Sequence, residues 1–334
     1  MRIKISNKWI GDHSPVFIIA EAGINHNGNL EIAKKMITKA KECGADAIKF
    51  QTFKAEDLTS IKSKFFKIFK NVELNPSDFI ELFCYAKQQN IIIFSSPFSF
   101  EAIDLLTKIK TAAFKIASGD LTNIPLIKYA ATKKKPMIIS TGMSTIEEIK
   151  NAIRAIQLQG NNKIIILHSV SAYPAPINEI NLKTIQWLKR KFHYPIGFSD
   201  NGSDLLVPLI AVSNGAKVIE KHFTLDRKLK GSDHKLSADP QQFRILVNNI
   251  RSVEKMLGNE IKNCQPSEIE NRVNARRSIT ANVTISKGSK ITQNMIGIKR
   301  PATGIEPKYF NRVLGKTTTR TIKPEESLKW KDIR

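Results

Sequence analysis

The chain has 334 residues, an apolar fraction of 41% and a net charge of +23, which is enough for one barrel-sized domain with a short appendage. No stretch approaches the roughly 18 uninterrupted apolar residues that a bilayer span needs, and Met1-Arg2-Ile3-Lys4-Ile5 is no signal region, so a cytoplasmic protein without a membrane partner is expected. The positive charge is scattered in short runs such as Lys133-Lys134-Lys135 and Lys189-Arg190-Lys191, which argues against a nucleic-acid partner but leaves room for a basic pocket around an anionic substrate.

From residue 16 to about residue 258, short β-branched runs alternate with segments of helical length, the pattern of repeated βα units around a parallel sheet. Eight runs are found, at Val16 to Ala22, Ala45 to Gln51, Ile91 to Pro97, Ala113 to Ser118, Pro136 to Thr141, Lys163 to Ser169, Pro195 to Asp200 and Val218 to Thr224. Runs such as Ile164-Ile165-Ile166-Leu167 are apolar throughout, as strands covered on both faces are. Eight of them predict a closed (β/α)8 TIM barrel over residues 1–258. Lys54 to Asn75 is polar with aromatics at Phe65, Phe66 and Phe69, and is expected to pass over the barrel mouth.

The last helix of the barrel is the clearest, with Phe243, Leu246, Val247, Ile250, Val253 and Leu257 on one face, Asp239 as N-cap, Pro240 at the first position and Gly258 as the stop. A polar linker over residues 259–276 and a small β-rich module over 277–334 follow, the module punctuated by turns at Lys287-Gly288 and Thr303-Gly304. Cys43, Cys84 and Cys264 form no CxxC pair and are expected to be reduced packing residues.

A β/α barrel builds its site at the C-terminal ends of its strands. Here those ends carry Glu21; Lys49 and Gln51; Ser95 and Ser96; Lys115 and Ser118; Ser140 and Thr141; His168, Ser169 and Ser171; Ser199 and Asp200; Glu220 and His222. Any single serine would serve as a helix cap and any single histidine as a packing residue, but eight polar ends converge on one mouth. Lys49 and Lys115 lie in or at the end of strands, where a buried ammonium needs an anionic partner. A phosphorylated, carboxylated substrate suits them, with the hydroxyls of Ser96, Ser118, Ser140 and Ser171 as neutral donors.

Five ordered segments resemble the signatures of sialic acid synthases. They are Glu21-Ala22-Gly23-Ile24-Asn25-His26-Asn27-Gly28, Lys49-Phe50-Gln51-Thr52, Lys115-Ile116-Ala117-Ser118-Gly119-Asp120, Ser140-Thr141-Gly142-Met143 and Glu220-Lys221-His222-Phe223-Thr224. Lys299-Arg300-Pro301, Gly304 and Leu314-Gly315-Lys316 look like the antifreeze-type (SAF) domain of the same enzymes. The resemblance implies a synthase that condenses phosphoenolpyruvate with N-acetylmannosamine or a related 2-acetamido sugar and water, releasing phosphate. It implies Glu21, Lys49 and Lys115 as catalytic residues, and Lys49, Ser96, Lys115, Ser118, Ser140, Ser171 and Ser199 around phosphoenolpyruvate. Glu21, Tyr173, Glu220, Asp233 and Arg300 would hold the sugar, with Arg300 reaching a neighbouring protomer's site in a homodimer with exchanged C-terminal domains.

A divalent ion, Mn2+ or Mg2+, is implied as Lewis acid, held by His222 and completed by Asn201, water or His234. Two departures from the family pattern bear on the site. Asn201 stands where the family commonly has a metal-ligating histidine, and Asp120 stands where glutamate is common. Related products, legionaminic or pseudaminic acid, made from a 6-deoxy diacetamido sugar, remain open. So does a non-catalytic sugar- or phosphate-binding relative, prompted by Asn201.

Overall fold

The chain enters through an antiparallel hairpin of β1 (Arg2–Ile5) and β2 (Lys8–Gly11), an element that the eight-run reading does not contain. Ile3, Ile5 and Ile10 of this hairpin pack with Phe17, Ile19, Ala47, Phe94, Ala113, Ile138, Ile165, Leu167 and Val218 in one buried cluster. The last nine belong to successive barrel strands or their N-terminal edges, so the hairpin plugs the barrel at its N-terminal end. The short alternating segment Ile3-Lys4-Ile5 was the signal for it.

The computed structural model describes all 334 residues and places them in two units, Met1–Gly258 and Asn259–Arg334. In the first, β3 (Phe17–Gly23), β4 (Ala47–Thr52), β5 (Ile92–Pro97), β6 (Phe114–Ile116), β7 (Met137–Ser140), β8 (Ile164–Ser169), β9 (Ile196–Asp200) and β10 (Val218–His222) run parallel and close into a barrel. Closure is made by β10 against β3, from Val218 opposite Phe17 to His222 opposite Glu21. All eight expected strands are present, with ends shifted by one or two residues. The barrel therefore has the expected α/β class and TIM topology.

Ten helices surround or bridge the strands: α1 (Leu30–Glu42), α2 (Ala55–Leu58), α3 (Phe66–Val72), α4 (Pro76–Gln88), α5 (Phe100–Lys108), α6 (Ile124–Thr132), α7 (Ile146–Gln157), α8 (Lys183–Phe192), α9 (Leu206–Ser213) and α10 (Pro240–Leu257). Outward strand residues such as Ile18, Ile48, Ile116, Ile139, Ile166, Phe198 and Ile219 share a core with helix residues such as Met36, Leu82, Ile153 and Leu246. Asp239 caps α10 with a reciprocal Gln242 contact, as expected, but the apolar face runs out: Val253 is half-buried and Leu257 exposed. The cysteine reading needs correction as well. Cys43 is buried, whereas Cys84 and Cys264 are exposed and pack in no core.

In the second unit the expected linker is not wholly irregular, because α11 (Ile269–Ala275) lies within it. The module has one regular ladder, β11 (Ser278–Ala281) against β12 (Ile296–Lys299), extended by isolated bridges such as Ile285 to Ile322 and Thr318 to Ile333. Its core is built of Ile279, Ile285, Ile291, Ile296, Ile305, Val313, Ile322, Leu328 and Ile333. Arg320 fastens the strand-poor end by binding Asp332 and Glu326. Arg300 is exposed immediately after β12.

Gly197 faces Leu167 inside the barrel, and a Cβ there would lie 2.5 Å from Leu167 Cδ2 and 2.6 Å from both Cβ and the carbonyl oxygen of Val218. Backbone contacts of this kind cannot relax as a side chain would. Gly197→Ala is expected to lower unfolding stability by about 2 kcal/mol or more through overpacking, measurable as a lower urea midpoint at unchanged slope.

Candidate active site

Side chains along a strand alternate between faces, and this sorts the polar strand ends. In β10, Ile219 packs against the helices while Val218 packs inside the barrel, so Glu220 and His222 point inward and Lys221 outward. The same count turns Glu21, Lys49, Gln51, Ser96, Lys115, Ser140, Ser169 and Ser199 toward the interior. The apolar inner cluster fills the lower layers, and the inward polar residues cap it as the floor of a cavity of about 570 Å³.

Four expected candidates are on the other face and serve the scaffold. Ser95 bonds Thr52 at 2.7 Å, His168 bonds the Ile180 carbonyl at 2.7 Å, and Asp200 pairs with Lys221. Thr141 likewise donates to the Leu167 carbonyl at 2.9 Å.

At the floor, two carboxylates and two ammonium groups interlock. Lys49 Nζ lies 2.8 Å from Glu21 Oε2 and 3.7 Å from Glu220 Oε1, and Lys115 Nζ lies 3.4 Å from the same Glu220 oxygen. All four residues are under 5% exposed, so solvent screens them little. Burial pushes the Glu21 carboxyl up to about 7, with Lys49 opposing and the Glu220 charge adding to the rise. Burial and the neighbouring Lys49 charge bring Lys115 down to about 8 against the pull of Glu220. For Glu220 burial acts upward, but Lys115 and Lys49 outweigh it and hold its carboxyl low. Two carboxyls within one network are thus driven apart, one toward neutrality and one toward charge.

One side of the cavity is rich in hydroxyl groups, two of them unengaged. Ser140 Oγ and Ser171 Oγ are buried without a hydrogen-bond partner, Ser118 Oγ accepts from the Gly142 amide at 3.1 Å, and Ser96 Oγ accepts from Lys49 Nζ at 3.3 Å. Gly142 is needed here because a Cβ would come within 2.2 Å of Ser171 Oγ and 2.9 Å of Ser118 Oγ. Hydroxyls left unpaired in a protein interior are costly unless something binds them. Ser199 is different, for its hydroxyl already donates to Glu220 Oε1 at 2.9 Å.

The opposite side carries the candidate metal and sugar residues. His222 Nδ1 is buried without a hydrogen-bond partner, 3.8 Å from Asp233 Oδ2, and burial holds its pKa below the usual value, so the neutral ring has a lone pair to offer. The Tyr173 ring meets His222 edge-on at 6.0 Å. Asn201 donates its amide nitrogen to the Val170 carbonyl at 2.8 Å and to Ser169 Oγ at 3.3 Å, which keeps its amide oxygen for another partner. His234 is engaged at both ring nitrogens, by Thr224 Oγ1 at 2.7 Å and Asn27 Oδ1 at 3.4 Å, and so is not placed to complete a metal shell. No three His, Cys, Asp or Glu side chains converge as a metal cluster.

The aromatic stretch expected over the mouth does line this cavity through Phe65 and Phe69, though not Phe66, and the sequence reading missed Ile68 and three further lining residues. Phe65, Ile68 and Phe69, at the start of and within α3, line it and give it an apolar wall, with Phe69 edge-on to Phe53 at 5.7 Å. Ile24, Ala117 and Ser232 line it too.

Residues 36–262 match the model of the NeuB family, and residues 276–334 match that of the SAF domain. An uncharacterized protein of Methanocaldococcus jannaschii is 46% identical over 332 residues, which is 99% of this chain and 98% of that protein. The N,N'-diacetyllegionaminic acid synthase of Campylobacter jejuni is 40% identical over 328 residues, 93% of this chain and 98% of that enzyme. Among solved structures, the N-acetylneuraminic acid (sialic acid) synthetase of Leptospira borgpetersenii, in complex with citrate, is 38% identical with a TM-score of 0.78, covering 81% of this chain and 95% of that one. Likeness in sequence and in structure thus runs through the barrel that carries the cavity, and the protein belongs to the NeuB family, with a SAF domain at its C-terminal end.

Proposed function

We propose that the chain condenses phosphoenolpyruvate with an open-chain 2-acetamido sugar aldehyde, N-acetylmannosamine or a related sugar, and water, to give a nonulosonic acid and inorganic phosphate. The observation that carries this reading is the division of one cavity into a donor-rich anion side and a carboxyl network with one group near neutrality. Lys49 and Lys115 with Ser96, Ser118, Ser140 and Ser171 would hold the phosphate and carboxylate of phosphoenolpyruvate. Ser199 would act through Glu220. Tyr173, Glu220 and Asp233 would face the sugar, and Arg300 would reach the site of a second protomer in a homodimer with exchanged C-terminal domains.

The bookkeeping of the reaction asks for one group that gives and then takes a proton. The phosphoenolpyruvate methylene carbon bonds to the aldehyde carbon, whose oxygen takes a proton from neutral Glu21. Water then adds at the former enol carbon and yields a proton to the Glu21 carboxylate; the C–O bond to phosphate breaks, and the hydroxyl proton of the adduct leaves with the phosphate as the ketone forms. Glu21 returns to its starting state, and a carboxyl near 7 suits both transfers. The Lys49 ammonium, 2.8 Å from Glu21, steadies the charged form between them.

A divalent ion, Mn2+ or Mg2+, fits the donors on the sugar side: the unpartnered His222 Nδ1 and the Asn201 amide oxygen, with Asp233 beside His222. When bound, such an ion would supply Lewis-acid polarisation of the aldehyde oxygen. With two protein donors, the remaining positions would fall to water or substrate.

Phosphate release from phosphoenolpyruvate, with N-acetylmannosamine or its 2,4-diacetamido-6-deoxy analogue and saturating Mn2+, tests the reaction; no release with any amino sugar overturns it. Glu21 and Lys115 both act protonated at the start of the cycle, so kcat/KM is expected to fall as pH rises through about 7 to 8. In Glu21→Gln the lower of these ionisations should vanish and kcat should drop about 100-fold or more. For Gly142→Ala, whose added methyl would enter the anion cradle, a rise of about tenfold in KM for phosphoenolpyruvate with little change in melting temperature is expected. Arg300→Ala is expected to raise KM for the sugar, and sedimentation should give a dimer.

A further inference from the structure

We propose that Lys221 and Asp200 are positioning residues, a buried clamp that holds the ends of β9 and β10 so that Asn201 and His222 face the cavity together. Neither residue lines the cavity. Both point to the helix side of the barrel, both are 1% exposed, and they are direct register partners, the last rung of the β9–β10 ladder. Beyond that rung no ladder bond joins Asn201 to His222.

The clamp supplies the missing connection. Lys221 Nζ lies 2.6 Å from Asp200 Oδ2 and also bonds the Gly202 carbonyl, while Asp200 Oδ1 accepts the Gly202 amide at 2.9 Å. One ammonium on β10 therefore grips the residues on both sides of Asn201. On the third strand, Asn201 reaches Val170 and Ser169, and Ser169 Oγ returns to the Ser199 carbonyl at 3.0 Å. Three strand ends are tied at the quarter of the mouth where the sugar-side donors sit.

Stability alone does not account for a charge pair in this place. Both groups are withdrawn from solvent, and buried pairs of this kind are commonly replaced by apolar residues of similar size with neutral or favourable effect on folding. What apolar side chains cannot reproduce is the directed hold on the Gly202 amide and carbonyl. Outer-shell groups that orient ligands in this way typically govern metal affinity by about 10- to 100-fold.

The inference rests on the proposed reaction for its kinetic readout only. The full chain carrying Lys221→Met with Asp200→Leu should melt at or above the wild-type temperature. It should bind Mn2+, followed by the signal of the free ion in electron paramagnetic resonance, at least about tenfold more weakly. Its kcat should fall by a similar factor, with KM for phosphoenolpyruvate within about twofold, because both lysines and most of the hydroxyls proposed to hold the anion belong to β4 to β7 and the turns after them. A folded double variant with wild-type Mn2+ affinity and kcat overturns the clamp. Should the double variant fail to fold, Asp200→Asn, which keeps the shape, must weaken Mn2+ binding in the same direction; wild-type affinity there overturns it too. Wild-type turnover of no amino sugar would sink the reaction and leave Mn2+ affinity to decide the clamp. A wild-type chain that neither binds Mn2+ nor turns over leaves nothing to position and overturns both.

Discussion

Glu21, Lys49, Glu220 and Lys115 share the top layer of the barrel interior, and every other property of the site depends on their mutual neutralisation. Isolated, any one of them would be too costly to bury in its charged form. Together they form two acids and two bases within 3.7 Å contacts, so the layer has no net charge when Glu21 is ionised and one positive charge when it is protonated, and its members are unequal. Glu220 sits between both ammonium groups and stays charged; Glu21 has mainly Lys49 and lies near neutrality. The asymmetry that suits Glu21 to proton transfer is thus a matter of which carboxylate lies between two lysines.

The barrel makes this layer affordable by what lies beneath it. Ile19, Phe94, Ile138, Ile165, Leu167 and Val218 fill the lower interior, and the β1–β2 hairpin seals the far end with Ile3, Ile5 and Ile10. Burial of each large apolar side chain contributes on the order of 1.5–3 kcal/mol, so the closed, dry lower layers support a charged upper one. Above them Ser140 Oγ and Ser171 Oγ find no partner within the protein, and buried hydroxyls of this kind are costly unless something binds them.

The two sides of the cavity are held by different means. On the proposed anion side Ser118 and Ser171, from the turns after β6 and β8, meet at Gly142, where absence of a Cβ is what makes room. On the sugar side His222, Asn201 and Asp233 come from β10, the turn after β9 and the loop before α10. Loop residues need an anchor, and there the buried Lys221–Asp200 pair and the contacts of Asn201 to β8 supply it.

The barrel was legible in the sequence because strands covered on both faces must be apolar almost throughout, and eight such runs alternate with helical periods. Glu21, Lys49, Lys115, Glu220 and His222 were legible for the same reason, as charges and a histidine interrupting apolar strands. The sequence alone determined that polar groups would gather at one mouth. Only the tertiary structure decided which of them face it, since Ser95, His168 and Asp200 stand one residue away from inward positions and turn to the scaffold. Tertiary structure also decided that Ile68 and not Phe66 joins Phe65 and Phe69 in the apolar wall, that both ring nitrogens of His234 are engaged, and that the two carboxyls are unequal. Each depends on distances between residues far apart in the chain, and a one-dimensional pattern carries no distance.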